Sequence, residues 1–150
     1  MTILRRADQE ESSPMEGSKS LMMAGASTGA SMATVGDLTV QPGVRSAYHL
    51  HPNTEEAIFV VEGEMEFRVG SSRFRASTGD CVLAPQSTWH GLENVGDTPA
   101  RLITIYPTAE PARETLDDVE YTDGVPGPTV YVRSNNEPYE FMAGISRFDM

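Results

Sequence analysis

The three histidines of this chain constrain its fold more than any other feature. The chain has 150 residues and three histidines, which fall in two short segments: His49-x-His51 and, much later, His90. Side chains alternate faces along a β-strand, so His49 and His51 point the same way with Cα atoms about 6.5 Å apart. Two imidazoles at that separation can converge on one ion, and a carboxylate plus a third imidazole from neighbouring strands would complete four ligands. The pattern predicts a metal site built on β-strands.

The segments around these histidines resemble the two paired motifs of the cupin superfamily. They read Gly43-x5-His49-x-His51-x4-Glu56-x6-Gly63 and Gly79-x5-Pro85-x-Ser87-x2-His90-x3-Asn94. The resemblance implies an all-β fold, an antiparallel double-stranded β-helix (jelly roll), that holds a metal by three His and one Glu. Ser87 departs from the family, which usually has glycine there to make a turn, but serine is also a common turn residue.

The resemblance also implies a ligand set. It assigns His49, His51, Glu56 and His90 to one divalent transition metal ion, for which Fe, Mn, Ni and Zn all suit imidazole or carboxylate ligands. Glu55 is the alternative carboxylate, because the family also tolerates a spacer that is one residue shorter. Strand alternation does not decide between them, since either parity places apolar residues beside the glutamate. Glu56 is therefore the predicted ligand, with Glu55 left open.

The rest of the pattern predicts short strands separated by turns. Apolar and β-branched runs predict strands at residues 33–40, 46–50, 57–62, 81–84 and 101–106. Met65, Phe67 and Val69 alternate with charged residues, which indicates one buried and one solvated face, and residues 73–76 return as the second strand of a hairpin. Strands at this spacing, with Gly, Pro, Asn and Asp between them, favour a sandwich or barrel.

These elements divide the chain into three predicted parts. Residues 1–30 form an N-terminal arm that is either mobile or exchanged as a strand with a partner, and residues 31–107 form the cupin barrel. Residues 108–150 form a C-terminal extension that packs on the barrel or on a second subunit. Within the extension, the sequence predicts one helical turn near residues 112–119 and an extended piece at 129–132.

Composition narrows the classes of partner. The net charge of −11 argues against nucleic acid, whose phosphates would repel the protein. The sequence has no run of eighteen apolar residues, so no membrane span is predicted. The start of the chain does not predict a secretory signal. A single cysteine, Cys81, excludes an intramolecular disulfide, which agrees with a cytoplasmic protein. Cys81 itself is interpreted as a small core residue. The resemblance further implies a homodimer.

The predicted function is that of a metal-dependent enzyme acting on a small organic molecule. An iron-dependent oxygenase is favoured; the alternatives are a redox-neutral lyase, isomerase or cyclase, and a small-molecule-binding cupin without turnover. Because the metal uses every histidine, a general base must be a carboxylate, a tyrosine, a metal hydroxide or Glu56 itself, which is the predicted catalytic residue. Tyr48, Trp89 and Arg101 are interpreted as structural.

Overall fold

The computed structural model describes residues 2–70 and 72–116, which form eleven β-strands and two short 3-10 turns. The strands are β1 (Glu11–Ser12), β2 (Ser18–Ala24), β3 (Thr34–Val40), β4 (Tyr48–Leu50), β5 (Glu56–Glu62), β6 (Glu64–Val69), β7 (Ser72–Ser77), β8 (Cys81–Ala84), β9 (His90–Asn94), β10 (Ala100–Tyr106) and β11 (Glu114–Leu116). The 3-10 turns are Arg6–Asp8 and Ala26–Thr28. Within these residues no helix is long and apolar enough to cross a membrane.

The strands form two antiparallel sheets. The six-stranded sheet has the order β1-β2-β3-β10-β5-β8, and the five-stranded sheet has the order β11-β4-β9-β6-β7. Strands far apart in sequence, such as β3 and β10 or β4 and β9, are direct neighbours, as in a jelly roll. The predicted antiparallel jelly-roll fold is therefore confirmed.

The core lies between the two sheets and follows from the alternation along each strand. In β6, Met65, Phe67 and Val69 are buried and point inward, while Glu64 is exposed on the other face. Corresponding positions of the other strands complete one apolar cluster, whose further members are Leu38, Val40, Ile58, Val60, Ala76, Val82, Ala84, Leu92, Ala100 and Leu102. This cluster fixes which face of each strand looks inward, and thereby which polar side chains reach the interior.

The predicted strands agree with the structure to within two residues at each end, and four further strands were not predicted. These are β1, which has only two residues, β2, β9 and β11. The helical turn predicted near residues 112–119 is wrong for its described part, because Glu114–Leu116 is a strand that pairs with β4. Residues 117–119 and the extended piece at 129–132 lie outside the described residues.

The N-terminal segment joins the six-stranded sheet of its own chain. Strand β2 pairs with β3, and β1 pairs with β2. The division into arm, barrel and extension stays a prediction, as does the homodimer. The outer face of this sheet leaves Phe59 and Ile105 about two-fifths exposed, at 39% and 40%.

Asp37 is a buried carboxylate on the outer face of strand β3. Its Oδ2 accepts hydrogen bonds from Arg6 Nε at 2.7 Å and Arg101 Nη2 at 2.8 Å, and its Oδ1 accepts one from Arg101 Nε at 3.0 Å. The hydrogen bond from Arg101, with that from Arg6, outweighs the effect of burial and lowers the pKa of Asp37. Asp37 thus ties Arg6 of the N-terminal segment and Arg101 of β10 to β3.

We expect this ion pair to make the free energy of unfolding depend on pH in acid. Because the pKa of Asp37 is lower in the folded state than in the unfolded state, its stabilisation is present above the ordinary carboxyl pKa and is lost as pH falls through the folded-state value. Asp37→Asn should cost about 1.5–3 kcal/mol at neutral pH and less in acid, measured by urea unfolding. Asp97→Asn, at an exposed turn, is the control. Equal losses for Asp37→Asn at both pH values would contradict this expectation.

Candidate metal centre

Four polar side chains from the two facing sheets meet in the interior. His49 on β4 lies directly opposite His90 on β9 in the ladder of the five-stranded sheet. His51 follows one residue after β4 and points to the same side as His49. Glu56 begins β5 in the six-stranded sheet, where it pairs with Ala84. The jelly roll therefore brings together residues that are 41 positions apart in the chain (90 − 49 = 41).

The four side chains are close enough to share one ion. One ligand atom from each of His49, His51, Glu56 and His90 lies within 4.8 Å of the others, and all four residues are buried. Glu56 Oε2 is 2.8 Å from His90 Nε2 and 3.2 Å from His51 Nε2. Glu55 is exposed and lies outside this group.

Main-chain carbonyls fix the orientation of all three imidazoles. Each Nδ1 lies 2.7–2.9 Å from a carbonyl oxygen: His49 with Ala47, His51 with Ala112, and His90 with Thr88. A carbonyl oxygen can only accept, so each Nδ1 carries the proton. Each Nε2 is then left to face the centre, as is usual for metal-binding histidines held by an outer layer of hydrogen bonds.

The charges in the group suit a cation. Burial raises the pKa of Glu56, but the close contacts of its carboxylate with His51 and His90 outweigh that effect and lower it, so Glu56 is a carboxylate at neutral pH. Burial, followed by the electrostatic effect of the neighbouring His90 ring, lowers the pKa of His49 to about 3, so the His49 imidazole is neutral. A neutral imidazole and a carboxylate are the protonation states that bind a metal.

The environment of His51 Nε2 indicates whether these residues fit a metal ion. This buried nitrogen has no hydrogen-bond partner, because its 3.2 Å contact with Glu56 lacks the geometry of a hydrogen bond. An unsatisfied polar atom in the interior costs about 1–3 kcal/mol, and an ion among the four donors would satisfy it. The residues present fit a divalent transition metal ion, and the group could hold one.

The segment of residues 110–116 supplies one of the carbonyls and is itself fastened beside the centre. Ala112 O lies 2.7 Å from His51 Nδ1. The Asn53 side chain binds this segment twice, donating to Glu110 O at 3.0 Å and accepting from Ala112 N at 2.8 Å. Further along, Thr115 pairs with His49 in the sheet. The orientation of His51 thus depends on chain that follows the last core strand.

Tyr106 also contacts the group, and reasoning from sequence did not single it out. Its hydroxyl donates to Glu56 Oε1 at 2.7 Å, and its ring meets the edge of the His51 ring with centroids 4.9 Å apart. Burial and the charge of Glu56 raise the pKa of Tyr106 well above its usual range, so the hydroxyl keeps its proton. The available signal was alternation: Tyr106 shares a face of its strand with Leu102 and Thr104, so it points inward.

A family model joins this geometry to known proteins. The model, described as "Cupin domain", matches residues 36–106, a span that includes all four residues of the group. Residues 36–106 are therefore a cupin domain, as the resemblance implied.

Three relatives place this cupin among known proteins. It is 29% identical to the tetracenomycin polyketide synthase protein TcmJ of Streptomyces glaucescens, over 75% of this chain and 74% of TcmJ. It is 28% identical to the solved structure of a Bacillus subtilis oxalate decarboxylase OxdC variant, with a TM-score of 0.67 over 75% of this chain and 31% of that one. The polyketide cyclase RemF of Streptomyces resistomycificus shares the fold, at 18% identity and a TM-score of 0.67 over 80% of this chain and 88% of RemF.

The share of each relative that is matched differs widely. This cupin spans about a third of the OxdC chain, and two further Streptomyces relatives are matched over 54% and 49% of their own length. The similarity therefore concerns the cupin domain rather than the whole of these proteins.

The structure also gives the positions of the other residues that were considered from the sequence. Tyr48 OH donates to Gly70 O at 2.6 Å and its ring stacks on Trp89, which gives both residues a packing role. Ser87 has a φ of 59°, so it adopts the left-handed conformation for which the family uses glycine. The interpretation of Cys81 as a core residue is wrong, because it is exposed on the outer face opposite Phe59.

Proposed function

We propose that His49, His51, Glu56 and His90 bind one divalent transition metal ion, and that the protein uses it in a redox-neutral cyclisation of a small, carbonyl-rich molecule. The observation that carries the proposal is the convergence of four buried donors, three of them with Nε2 directed at one point. Which of Fe, Mn, Ni and Zn occupies the site is left to metal analysis.

The similarity to TcmJ supports the substrate class. TcmJ is named as a polyketide synthase protein, and the alignment extends beyond the barrel motifs to 113 residues. Polyketide intermediates carry several carbonyl groups, and carbons between two carbonyls are acidic. Intramolecular aldol addition is the redox-neutral reaction by which such a molecule closes a ring.

The reaction needs no external oxidant. A C–C bond forms between the carbon next to one carbonyl and the carbonyl carbon of another. The C=O π bond of the second carbonyl opens, and the proton lost from the first carbon ends on that carbonyl's oxygen, which becomes a hydroxyl. A bound transition metal ion supplies Lewis acidity, which polarises a carbonyl and makes the neighbouring C–H more acidic. Ile58, two residues after Glu56 on the same face of β5, and Val82, which pairs with it, belong to the buried apolar core and would limit the access of water.

Proton transfer falls to side chains other than histidine. The imidazoles have their Nδ1 protons committed to carbonyls and their Nε2 atoms directed at the centre. Glu56, which can accept a proton, and Tyr106, which carries one, are the remaining titratable groups in the cluster as described, and they are joined by a hydrogen bond. We propose the predicted catalytic role for Glu56, whose Oε2 would hold the ion and whose Oε1 accepts the hydrogen bond from Tyr106.

An oxygenase is the competing hypothesis, and it makes a different prediction about oxygen. The same four donors suit iron, which would bind O2 beside a substrate. The relatives reported above are named as a polyketide synthase protein, a cyclase and a decarboxylase, which favours testing the redox-neutral reaction first.

The deciding experiment combines metal analysis with a substrate assay. Protein without a histidine tag is purified anaerobically, its metal content is measured, and the loaded protein is incubated with a synthetic poly-β-ketone thioester. We expect near-stoichiometric metal and a cyclised product with the mass of the substrate or of the substrate less water. The product should form equally in air and under argon, and chelation should abolish it.

Other outcomes point to the alternatives. Oxygen uptake that matches product formation would replace the cyclase with an oxygenase. A substrate-induced rise in melting temperature without any product would indicate a binding protein. Absence of metal after reconstitution with each of the four ions would overturn the proposal itself.

A further inference from the structure

Strand register brings Tyr106 and Glu56 side by side on the inner face of the six-stranded sheet. Ile105 pairs with Ala57 in the antiparallel ladder between β10 and β5, and both of these side chains point outward. One step further along the same ladder, Tyr106 stands beside Glu56 on the opposite, inward face. The contact between them follows from backbone pairing and does not depend on a loop.

The two oxygens of Glu56 have different partners. Oε2 faces the histidines, at 2.8 Å from His90 Nε2 and 3.2 Å from His51 Nε2. Oε1 accepts the hydrogen bond from the Tyr106 hydroxyl at 2.7 Å. A carboxylate with one oxygen held in this way presents its other oxygen to the centre.

The ring of Tyr106 is held independently of this hydrogen bond. It packs edge-on against the His51 ring, with an interplanar angle of 72°. The hydroxyl is therefore presented to Glu56 from a side chain whose position does not require the bond. Removing the hydroxyl oxygen alone leaves this ring contact in place.

We propose that Tyr106 is a positioning residue that limits Glu56 to a single ligating oxygen. By occupying Oε1, the phenol keeps the carboxylate from turning both oxygens toward the ion, which leaves more of the coordination sphere for the substrate. Tyr106 acts on the centre through Glu56. This inference rests on the proposed metal site.

Cobalt(II) binding tests the proposal without any assay of activity. Metal-free protein is titrated with Co²⁺ in competition with a chelator, and the visible absorption of the bound ion is recorded. We expect Tyr106→Phe to bind Co²⁺ roughly 10–100-fold more weakly, because the carboxylate of Glu56 loses the outer-layer partner that fixes its orientation. We also expect its visible spectrum to change, because the freed Oε1 alters the ligand field.

Tyr48→Phe is the matched control. The Tyr48→Phe substitution also removes a buried hydroxyl, which donates to Gly70 O at 2.6 Å but does not contact Glu56. This variant should keep the wild-type affinity and spectrum. A Tyr106→Phe protein equal to wild type in both readouts would overturn the positioning role and leave the metal site intact. A wild-type protein that fails to bind Co²⁺ or any of the four proposed ions would overturn both.

Discussion

We expect His51→Ala to lose most of the rise in melting temperature that a divalent transition metal ion should give to the wild-type protein. An ion that binds only the folded state stabilises it by about 4.1 kcal/mol when its free concentration is 1,000 times Kd. For a chain of this size that energy corresponds to a shift of roughly 8–16 °C. His51→Ala takes away one of four donors and the contact with Ala112 O, so the shift should largely disappear. Differential scanning calorimetry with metal and with chelator measures it.

Two adjacent glutamates provide a matched pair for the same experiment. Glu56→Gln changes the buried carboxylate that faces His51 and His90, whereas Glu55→Gln makes the identical chemical change at an exposed position. We expect only the first to weaken the metal-dependent shift. If chelator lowers the melting temperature of His51→Ala as much as that of wild type, the ligand assignment is wrong.

Loss of the 110–116 segment should weaken metal binding about 10–100-fold, because removing an outer-layer partner of a ligating histidine has effects of this size. Two shortened chains isolate the segment: one ends at Ala109, and the other ends at Leu116. The first lacks the carbonyl that holds His51, while the second keeps it. Their difference in Kd, measured by chelator competition, reports the contribution of residues 110–116.

A point variant addresses the same segment in the full chain. Asn53→Ala removes both side-chain hydrogen bonds that fasten residues 110 and 112 beside the centre. It should weaken metal binding in the same direction as the shorter chain. Equal affinities for the two shortened chains, together with an unaffected Asn53→Ala protein, would show that the segment does not support the site.

The pair of His49 and His51 could be predicted from sequence because its determinant is local, whereas His90 was assigned through the resemblance to the second cupin motif. His49 and His51 share a face through strand alternation alone, and the two motifs place turns on either side of them. The carboxylate ligand could not be chosen in this way. Glu55 and Glu56 point to opposite faces of the strand, and the sequence does not show which of these faces is turned inward. The structure places Glu56 inward because it pairs with Ala84, a relation between strands that one sequence does not reveal.

The missed elements lacked a local signal. Strand β2 has the sequence Ser-Lys-Ser-Leu-Met-Met-Ala, in which polar and apolar residues do not alternate. Its extended conformation is stabilised by pairing with β3. Strand β9 contains Gly91, which lowers strand propensity. The contact between His51 and Ala112 joins residues 61 positions apart through a main-chain oxygen, which no side-chain pattern encodes.

The use of main-chain carbonyls to hold all three imidazoles bears on how this site can change in evolution. Ala47, Thr88 and Ala112 contribute only their backbone oxygens to this task, so substitutions at these positions can preserve the orientation of the ligands. At Glu56 the partner is a side-chain hydroxyl, and the same tolerance does not extend to Tyr106. Divergent relatives could therefore retain the arrangement of the three histidines with little sequence identity around them. A substitution at position 106, by contrast, would change the orientation of the Glu56 carboxylate.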